Sequence, residues 1–435
     1  MAAVPQQSTS SDSLAVPPSS KGPAHASTRK VPDHLKRLYT ATVLFGIGCG
    51  VSLGLTPLYL NALGFTKQNI GTLSLFFAGA LVLFSLPVGM LIRRFSAERI
   101  LAICLFGYAL SLVGFPHMKT YESIAFVRVF DGLGTIGVWV ASETVLLAQA
   151  QKAYKAYLTT LYAIALALGY VIGPFLARGM AFVTTDPRIS FSVGAFSAIS
   201  AGVFVLLKMP PTPPAEGVSS DEPVASTPSA PAHTPAMSIF WKIKTSCLAA
   251  FSYGYFQAAV VLFLPLYLID DKGWAPEHTI ILPGLFCLGM LLCSNIVGRI
   301  ADRVGHLKTV RALSSVGLMA ILGFVVLDNY WVMCFAVFIA GATFASMSPV
   351  ALALTGVVTK AQDYSRANAI YNLFYATGIL LGPPVASVIY TNYGGKRMIE
   401  HIAILWVAFV IFTIVFIHDD PASRRAKHLP ANAPS

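Results

Sequence analysis

A chain of 435 residues that is 55% hydrophobic and only 11% charged lacks the charge to clothe a soluble domain, in which about a quarter of residues are charged, and this leaves a polytopic membrane protein. In a soluble protein the net charge of +11 would point to nucleic acid; here it reports which loops stay cytoplasmic, and no nucleic-acid partner is expected. The six cysteines (Cys49, Cys104, Cys247, Cys287, Cys293 and Cys334) all lie in apolar runs, without metal spacing or a disulfide framework, and read as packing residues.

Residues 1–37 are rich in Pro, Ser, Ala and basic residues and contain neither a cleavable signal nor a span, so they are expected to form a disordered cytoplasmic tail. Long apolar stretches then alternate with short charged punctuation. Twelve helical spans are expected, over approximately 38–61, 69–92, 98–117, 121–147, 157–182, 188–208, 242–268, 278–299, 309–327, 329–357, 367–391 and 400–417. Nearly all have the roughly 17 to 25 residues that cross a hydrocarbon core as helix, whereas a β-barrel needs strands of about ten. Most of the 30 Lys and Arg residues fall in the tails, the central linker and the even-to-odd loops, which places both termini of a multi-pass protein in the cytoplasm, across a cell (inner) membrane.

The fourth span contains the stretch RVFDGLGTIGVWVASE, residues 128–143, with three ionisable side chains inside an apolar helix. A charge at the centre of such a helix costs roughly 2.5 to 3.5 kcal/mol, so each needs a partner, water or a task. Arg128 and Asp131 are one turn apart and suit an ion pair; Glu143 lies about 22 Å further along the axis, near one mouth. Arg128 and Asp131 read either as a structural pair or as a site in which protonation of Asp131 frees Arg128 for an anionic group. Glu143 reads either as a proton-coupling or gating carboxylate or as one that is simply hydrated.

Between the sixth and seventh spans, the polar Pro, Ser and Ala-rich segment over 209–241 reads as a flexible cytoplasmic linker between two six-helix halves, 38–208 and 242–418, followed by a cytoplasmic tail over 419–435. The halves match in sequence. LYAIALALGYVIGP, ending at Pro174, aligns with IYNLFYATGILLGP, ending at Pro383, so that Tyr162, Gly169, Gly173 and Pro174 pair with Tyr371, Gly378, Gly382 and Pro383, each 209 residues apart. The same offset pairs Gly89 with Gly298 and Gly132 with Gly341. Parallel repeats imply two bundles with a substrate site between them near the midplane. Arg128 meets Val337 and Glu143 meets Leu352 at that offset, and a charge on one side only is better explained by a site than by symmetric packing.

These residues resemble the major facilitator superfamily. GRIADRVGHLK, beginning at Gly298, is similar to the superfamily's loop signature between spans 8 and 9, a glycine followed by an Asp302–Arg303 pair, Gly305 and basic residues. The equivalent GMLIRRFSAER, beginning at Gly89, departs from it with Arg93 at the acidic position and Ser96 at the second glycine. RVFDGLG resembles the span-4 Arg-x-x-x-Gly-x-Gly pattern, and Gly169-x-x-x-Gly173-Pro174 resembles the span-5 signature of drug and proton antiporters, although Phe175, Leu176, Ala177 and Arg178 follow where further glycines are usual. The spacing of Arg128 to Glu143 is also similar to the uncharacterised bacterial YcaD-like transporters, with Thr144 and Val145 in place of their usual Ser-Trp. The resemblance implies an all-α fold of twelve spans in two pseudo-symmetric six-helix bundles. It implies that the loops at Gly89, Arg93, Gly298, Asp302, Arg303 and Gly305 act as gates, and that spans 1, 4, 7 and 10 line a central cavity.

Physically, Gly298 permits close helix approach, and Asp302 can face the positive N-terminus of a neighbouring helix. Gly169, Gly173 and Pro174, like Gly378, Gly382 and Pro383, suit close packing followed by a bend, and read as hinges. Other cavity candidates are Trp139, Tyr253, Gln257, Ser346, Ser348, Tyr371, Asn372 and Tyr375, which could orient an amphipathic ligand or equally serve as helix contacts. Catalytic readings are weak: Gly50-x-Ser52-x-Gly54 lacks the strand-turn-helix of a nucleophile elbow, there is no Walker-type phosphate loop, and the nine histidines form no metal-spaced cluster. The chain is therefore read as a non-enzymatic secondary transporter in the lipid bilayer, a monomer without cofactor or metal. It moves a small organic solute by alternating access, as a proton-coupled efflux antiporter. Organic-anion uptake on Arg128, facilitated diffusion and a non-transporting receptor or scaffold are the alternatives.

Overall fold

The computed structural model describes residues 31–149, 155–184, 186–210, 235–360 and 363–417. The expected tails before residue 31 and after 417, and the linker over 211–234, lie outside the described residues, as does the side chain of Arg93.

Every regular element among the described residues is helical. Six helices make the first part: α1 Asp33–Ala62, α2 Lys67–Arg94, α3 Ala97–Gly114, α4 Tyr121–Gln149, α5 Lys155–Val183 and α6 Pro187–Lys208. The second part comprises α7 Ala236–Asp270, a single turn α8 Pro276–Thr279, α9 Leu282–Val304, α10 His306–Val326, α11 Tyr330–Ala340, α12 Ser346–Val358 and α13 Tyr364–Val415. A π-helical segment, Gly341–Ala345, joins α11 to α12. Among the described residues eleven stretches are long and apolar enough to cross a bilayer, against the twelve expected. The difference lies in α13, whose 52 residues run on through Gly394, the one position within it with non-helical dihedrals (φ 86°, ψ 167°).

Tight connections follow from local chemistry. The side chain of Thr66 accepts from the Asn69 amide at 3.2 Å, Asp186 caps α6 ahead of Pro187, and the Asn329 side chain accepts from the amides of Trp331 and Val332. Gly64 after α1 and Gly273 after α7 both adopt positive φ, +82° and +67°, which glycine takes without Cβ strain. They too stand 209 residues apart, so the sequence offset reappears as backbone geometry. α1 starts at Asp33 rather than at 38 because Leu35 and Leu38, on one face, are completely buried and draw the preceding turn into the fold. α7 likewise starts at Ala236, with Ile239 and Ile243 buried.

α1 packs on α5 and α6, and α4 on α2 and α3; in the second part α13 packs on α7 and α10, and α9 on α11. The two parts meet through α2 with α13 and α5 with α9. Outward faces are strongly apolar, as at Leu83, Leu86, Leu110, Phe182 and Leu207, a surface suited to lipid chains rather than water.

Candidate functional site

Glycines bring α4 close to its neighbours. A Cβ on Gly132 would fall 2.6 Å from the Phe77 carbonyl oxygen of α2, and one on Gly134 would fall 3.0 Å from the backbone of Tyr108 in α3. The Arg-x-x-x-Gly-x-Gly pattern is thus a packing device that wedges α4 between two helices and turns Arg128 and Asp131 inward.

There a cavity of about 250 Å³ opens between the two parts, walled by α1, α2, α3, α4 and α5 on one side and α7, α9 and α13 on the other. Its lining is largely apolar and aromatic, including Leu53, Phe77, Leu81, Leu262, Phe286 and Ile379, with Ser52, Thr56, Ser74 and Gln257 as polar points. Arg128 donates to Asp131 Oδ2 at 2.5 Å, with both side chains largely buried. The guanidinium also lies over the Phe77 ring, 4.5 Å from its centroid. The pair brings no net charge into the cavity, which fits an apolar wall. Asp131 Oδ1, Thr135 Oγ1 and Trp139 Nε1 are buried without a hydrogen-bond partner among the described residues, and all three side chains line the cavity. An unsatisfied buried polar atom costs roughly 1 to 3 kcal/mol.

Of the expected pathway residues, Arg128, Asp131, Trp139, Gln257 and Tyr375 meet in this lining, and Tyr375 donates to Gln257 Oε1 at 2.8 Å. Tyr253 stands behind the wall, stacked on Tyr375 at 5.8 Å. Ser346 is fully buried against Ser294 at 3.1 Å, and Tyr371 donates to the Ser348 carbonyl at 2.9 Å, so both hold helices together rather than face the cavity. Asn372 is exposed and bonded to Asn368 one turn back. Glu143 is exposed and outside the lining, because three turns of helix carry it beyond Asp131. Two cysteines expected only to pack, Cys49 and Cys287, belong to the wall.

The hinge residues serve contact. A Cβ on Gly169 would lie 2.5 Å from the Val43 carbonyl oxygen and 2.6 Å from Gly46 Cα, and one on Gly173 would lie 2.7 Å from Gly50 Cα. Gly378 and Gly382 press in the same way on Tyr255 of α7. Helix continues through Pro174 and Pro383, so neither breaks its element. At the loops, nothing lies within 4 Å of a Cβ built on Gly89 or Gly298. The Asp302 carboxylate is 75% exposed and 3.5 Å from His306 Nε2, and Arg303 is exposed. Gly305, at φ +106°, makes the turn from α9 to α10.

At the other ends of α2 and α9 the two parts are tied together. Lys67 bridges to Asp270 Oδ2 at 2.7 Å and donates to Asn61 Oδ1; Tyr390 donates to the same Asp270 oxygen at 2.9 Å. Arg178 donates to the Tyr330 hydroxyl at 2.6 Å. Sequence reasoning missed these residues, because each tie joins positions far apart in the chain. It missed Thr135 also, although its place four residues from both Asp131 and Trp139 could have revealed it.

The profile described as Major Facilitator Superfamily matches residues 38–328 and 247–433. Curated relatives include the uncharacterized MFS-type transporter YcaD of Salmonella dublin, 25% identical over 377 residues, covering 84% of this chain and 91% of that one. The Salmonella typhi protein of the same name is 24% identical over 395 residues, covering 88% and 96%. Among solved structures, nucleoside transporter NupG superposes with a TM-score of 0.72 at 15% identity, covering 89% of this chain and 99% of that one. A bacterial homolog to the human lysosomal transporter Spinster, inward-facing and occupied, gives 0.66 at 14%, covering 92% and 98%. At such identities the structural likeness shows the fold alone. With its helical architecture and a profile match spanning nearly the whole helical region, the chain belongs to the major facilitator superfamily of membrane transporters, among relatives of the uncharacterised YcaD type.

Proposed function

We propose that this protein is a proton-coupled antiporter that moves a small organic solute by alternating access, the solute occupying the cavity between the two parts. One observation carries the reading: Asp131 is the carboxylate of the cavity wall, with one oxygen ion-paired to Arg128 and the other without a partner among the described residues. A ligand group that binds that oxygen and a proton that binds the same carboxylate compete, and two ligands that exclude each other from one site are exchanged rather than carried together. Cys49, Tyr108, Tyr170, Cys287 and Tyr375 are the other titratable groups of the wall besides Arg128, and none of them is a carboxylate.

In this reading α13 crosses the bilayer twice. Its 52 residues would extend about 78 Å as one straight helix, more than twice the hydrocarbon thickness of about 30 Å, and Gly394 supplies the turn. That makes twelve spans in two six-helix bundles, 38–208 and 242–418, with both termini cytoplasmic in a cell membrane. Lys67, Asp270, Arg178 and Tyr330 then close the outer side, while Gly89, Gly298 and Asp302 stand apart on the cytoplasmic side, as in an inward-facing state. Glu143 lies on the inner route from the cavity, where it can pass protons to water. Uptake of an organic anion is the second reading, favoured by the guanidinium donors of Arg128 that Asp131 does not occupy.

The test is proton release by purified protein on titration with neutral, cationic and anionic aromatic compounds. Release in the native protein that vanishes in Asp131→Asn and in Arg128→Gln/Asp131→Asn, with Glu143→Gln unaffected, is the expected result. Binding without proton exchange in any variant would remove coupling and leave a facilitator or receptor.

A further inference from the structure

We propose that the stripe Asp131, Thr135 and Trp139 of α4 is the ligand-recognition edge of the cavity, and that it selects an uncharged aromatic solute with a hydrogen-bond donor at one end and an acceptor at the other. The inference rests on the cavity being the solute site.

The three residues follow one another at intervals of four, so they lie in a row on one helix face with about 6 Å of axial rise between neighbours. Asp131 is 5% exposed and Thr135 3%; of the nine buried side-chain polar atoms that lack partners among the described residues, three belong to this stripe, and they alone of the nine line the cavity. Buried polar atoms are nearly always satisfied in folded proteins, so three in sequence on one helix mark places where something else completes the bonding. Their chemistry has a direction. The carboxylate oxygen accepts, the hydroxyl does either, and the indole N–H only donates. A ligand lying along α4 must therefore offer a donor towards Asp131 and an acceptor towards Trp139.

Charge follows from the ion pair. Because Arg128 already neutralises Asp131, a cationic or anionic ligand would enter an apolar cavity with no counter-charge of its own, while an uncharged one leaves the pair intact. The body follows from the opposite wall, where Leu262, Phe286, Tyr375 and Ile379 present flat and branched apolar groups that suit an aromatic ring.

The experiment is calorimetric titration of the full chain in detergent with four probes on one ring: 4-hydroxyacetophenone, 4-methoxyacetophenone, 4-hydroxybenzoate and tyramine. The neutral donor and acceptor probe is expected to bind at least about tenfold more tightly than the methylated, anionic and cationic ones. Trp139→Phe and Thr135→Val should each weaken that probe about tenfold, while Thr135→Ser, which keeps the hydroxyl, restores affinity and reports that the fold survives. Tighter binding of the anion or the cation, equal binding in the Trp139 and Thr135 variants, or no binding of any probe at millimolar concentration overturns the assignment. The outcome separates from coupling. The expected affinity order without proton release would sink antiport and keep the ligand class; proton release on binding of the anion would do the reverse.

Discussion

At the scale of single residues, the Arg128 and Asp131 pair decides what the cavity can tolerate. Each charge is held in an apolar wall by the other, so removing one leaves the other buried and uncompensated, at a cost of about 3 to 5 kcal/mol. Arg128→Gln and Asp131→Asn should each lower the thermal midpoint of the purified protein, and the double variant should recover most of the loss. Additive losses in that cycle would show that the pair is not coupled in the folded state. Competition at Asp131 also fixes a sign. As pH falls and the carboxylate takes up a proton, solute affinity should weaken, by up to about tenfold per pH unit, whereas symport with an anion would make affinity rise. Binding isotherms across a pH series distinguish the two. That an ionisable pair sits in span 4 was legible in the sequence, since an apolar helix exposes every charge it contains. The unpartnered Asp131 oxygen was not, because partners arrive from other helices.

At the scale of elements, glycines divide into two populations that look alike in sequence. Gly169 and Gly173 against α1, and Gly378 and Gly382 against α7, stand where a Cβ would enter a neighbouring backbone, so Gly169→Ala and Gly378→Ala should each destabilise by about 1 to 3 kcal/mol, measured by thermal unfolding. Gly89 and Gly298 face open space, so alanine there should leave stability unchanged. If these loops approach other helices in the opposite state, the same two substitutions should slow flux in liposomes; unaltered flux would remove the gating role expected of them. The sequence signatures marked Gly298 as well as the first set as close-approach positions. Only the first set stands where a Cβ would meet a neighbouring backbone. The π-helical segment at Gly341–Ala345 had no signal of its own in the sequence. It lies where Gly341 meets the Phe286 backbone of α9, a contact that comes from packing.

At the scale of the whole molecule, the conformation is held by ties at one end. Lys67 with Asp270 and Tyr390, and Arg178 with Tyr330, join the two parts beyond the cavity, while Gly89 and Gly298 at the opposite ends of α2 and α9 have nothing within 4 Å of a built Cβ. Breaking them should favour the other state. Lys67→Asp is expected to increase labelling of a cysteine placed at Ser74, a cavity position, by a membrane-impermeant reagent added from the outside. Combining it with Asp270→Lys should restore the closed level, and unchanged labelling in the single variant would show that the bridge does not hold that end shut.

By itself the sequence determined the membrane class, the helical architecture, the duplication at an offset of 209 residues and the helix that carries the ionisable pair. These follow from composition, hydropathy and local pattern, which each segment contains within itself. Which of the polar candidates face one another was decided by the tertiary structure: Gln257 and Tyr375 entered the wall, Tyr253, Ser346 and Tyr371 went behind it, and Thr135 joined the row between Asp131 and Trp139. The physical reason is rotational. A helix shows its period in the sequence, but which face meets the cavity, a neighbour or lipid is fixed by how the helices pack, and that depends on glycine contacts and bridges between residues far apart along the chain.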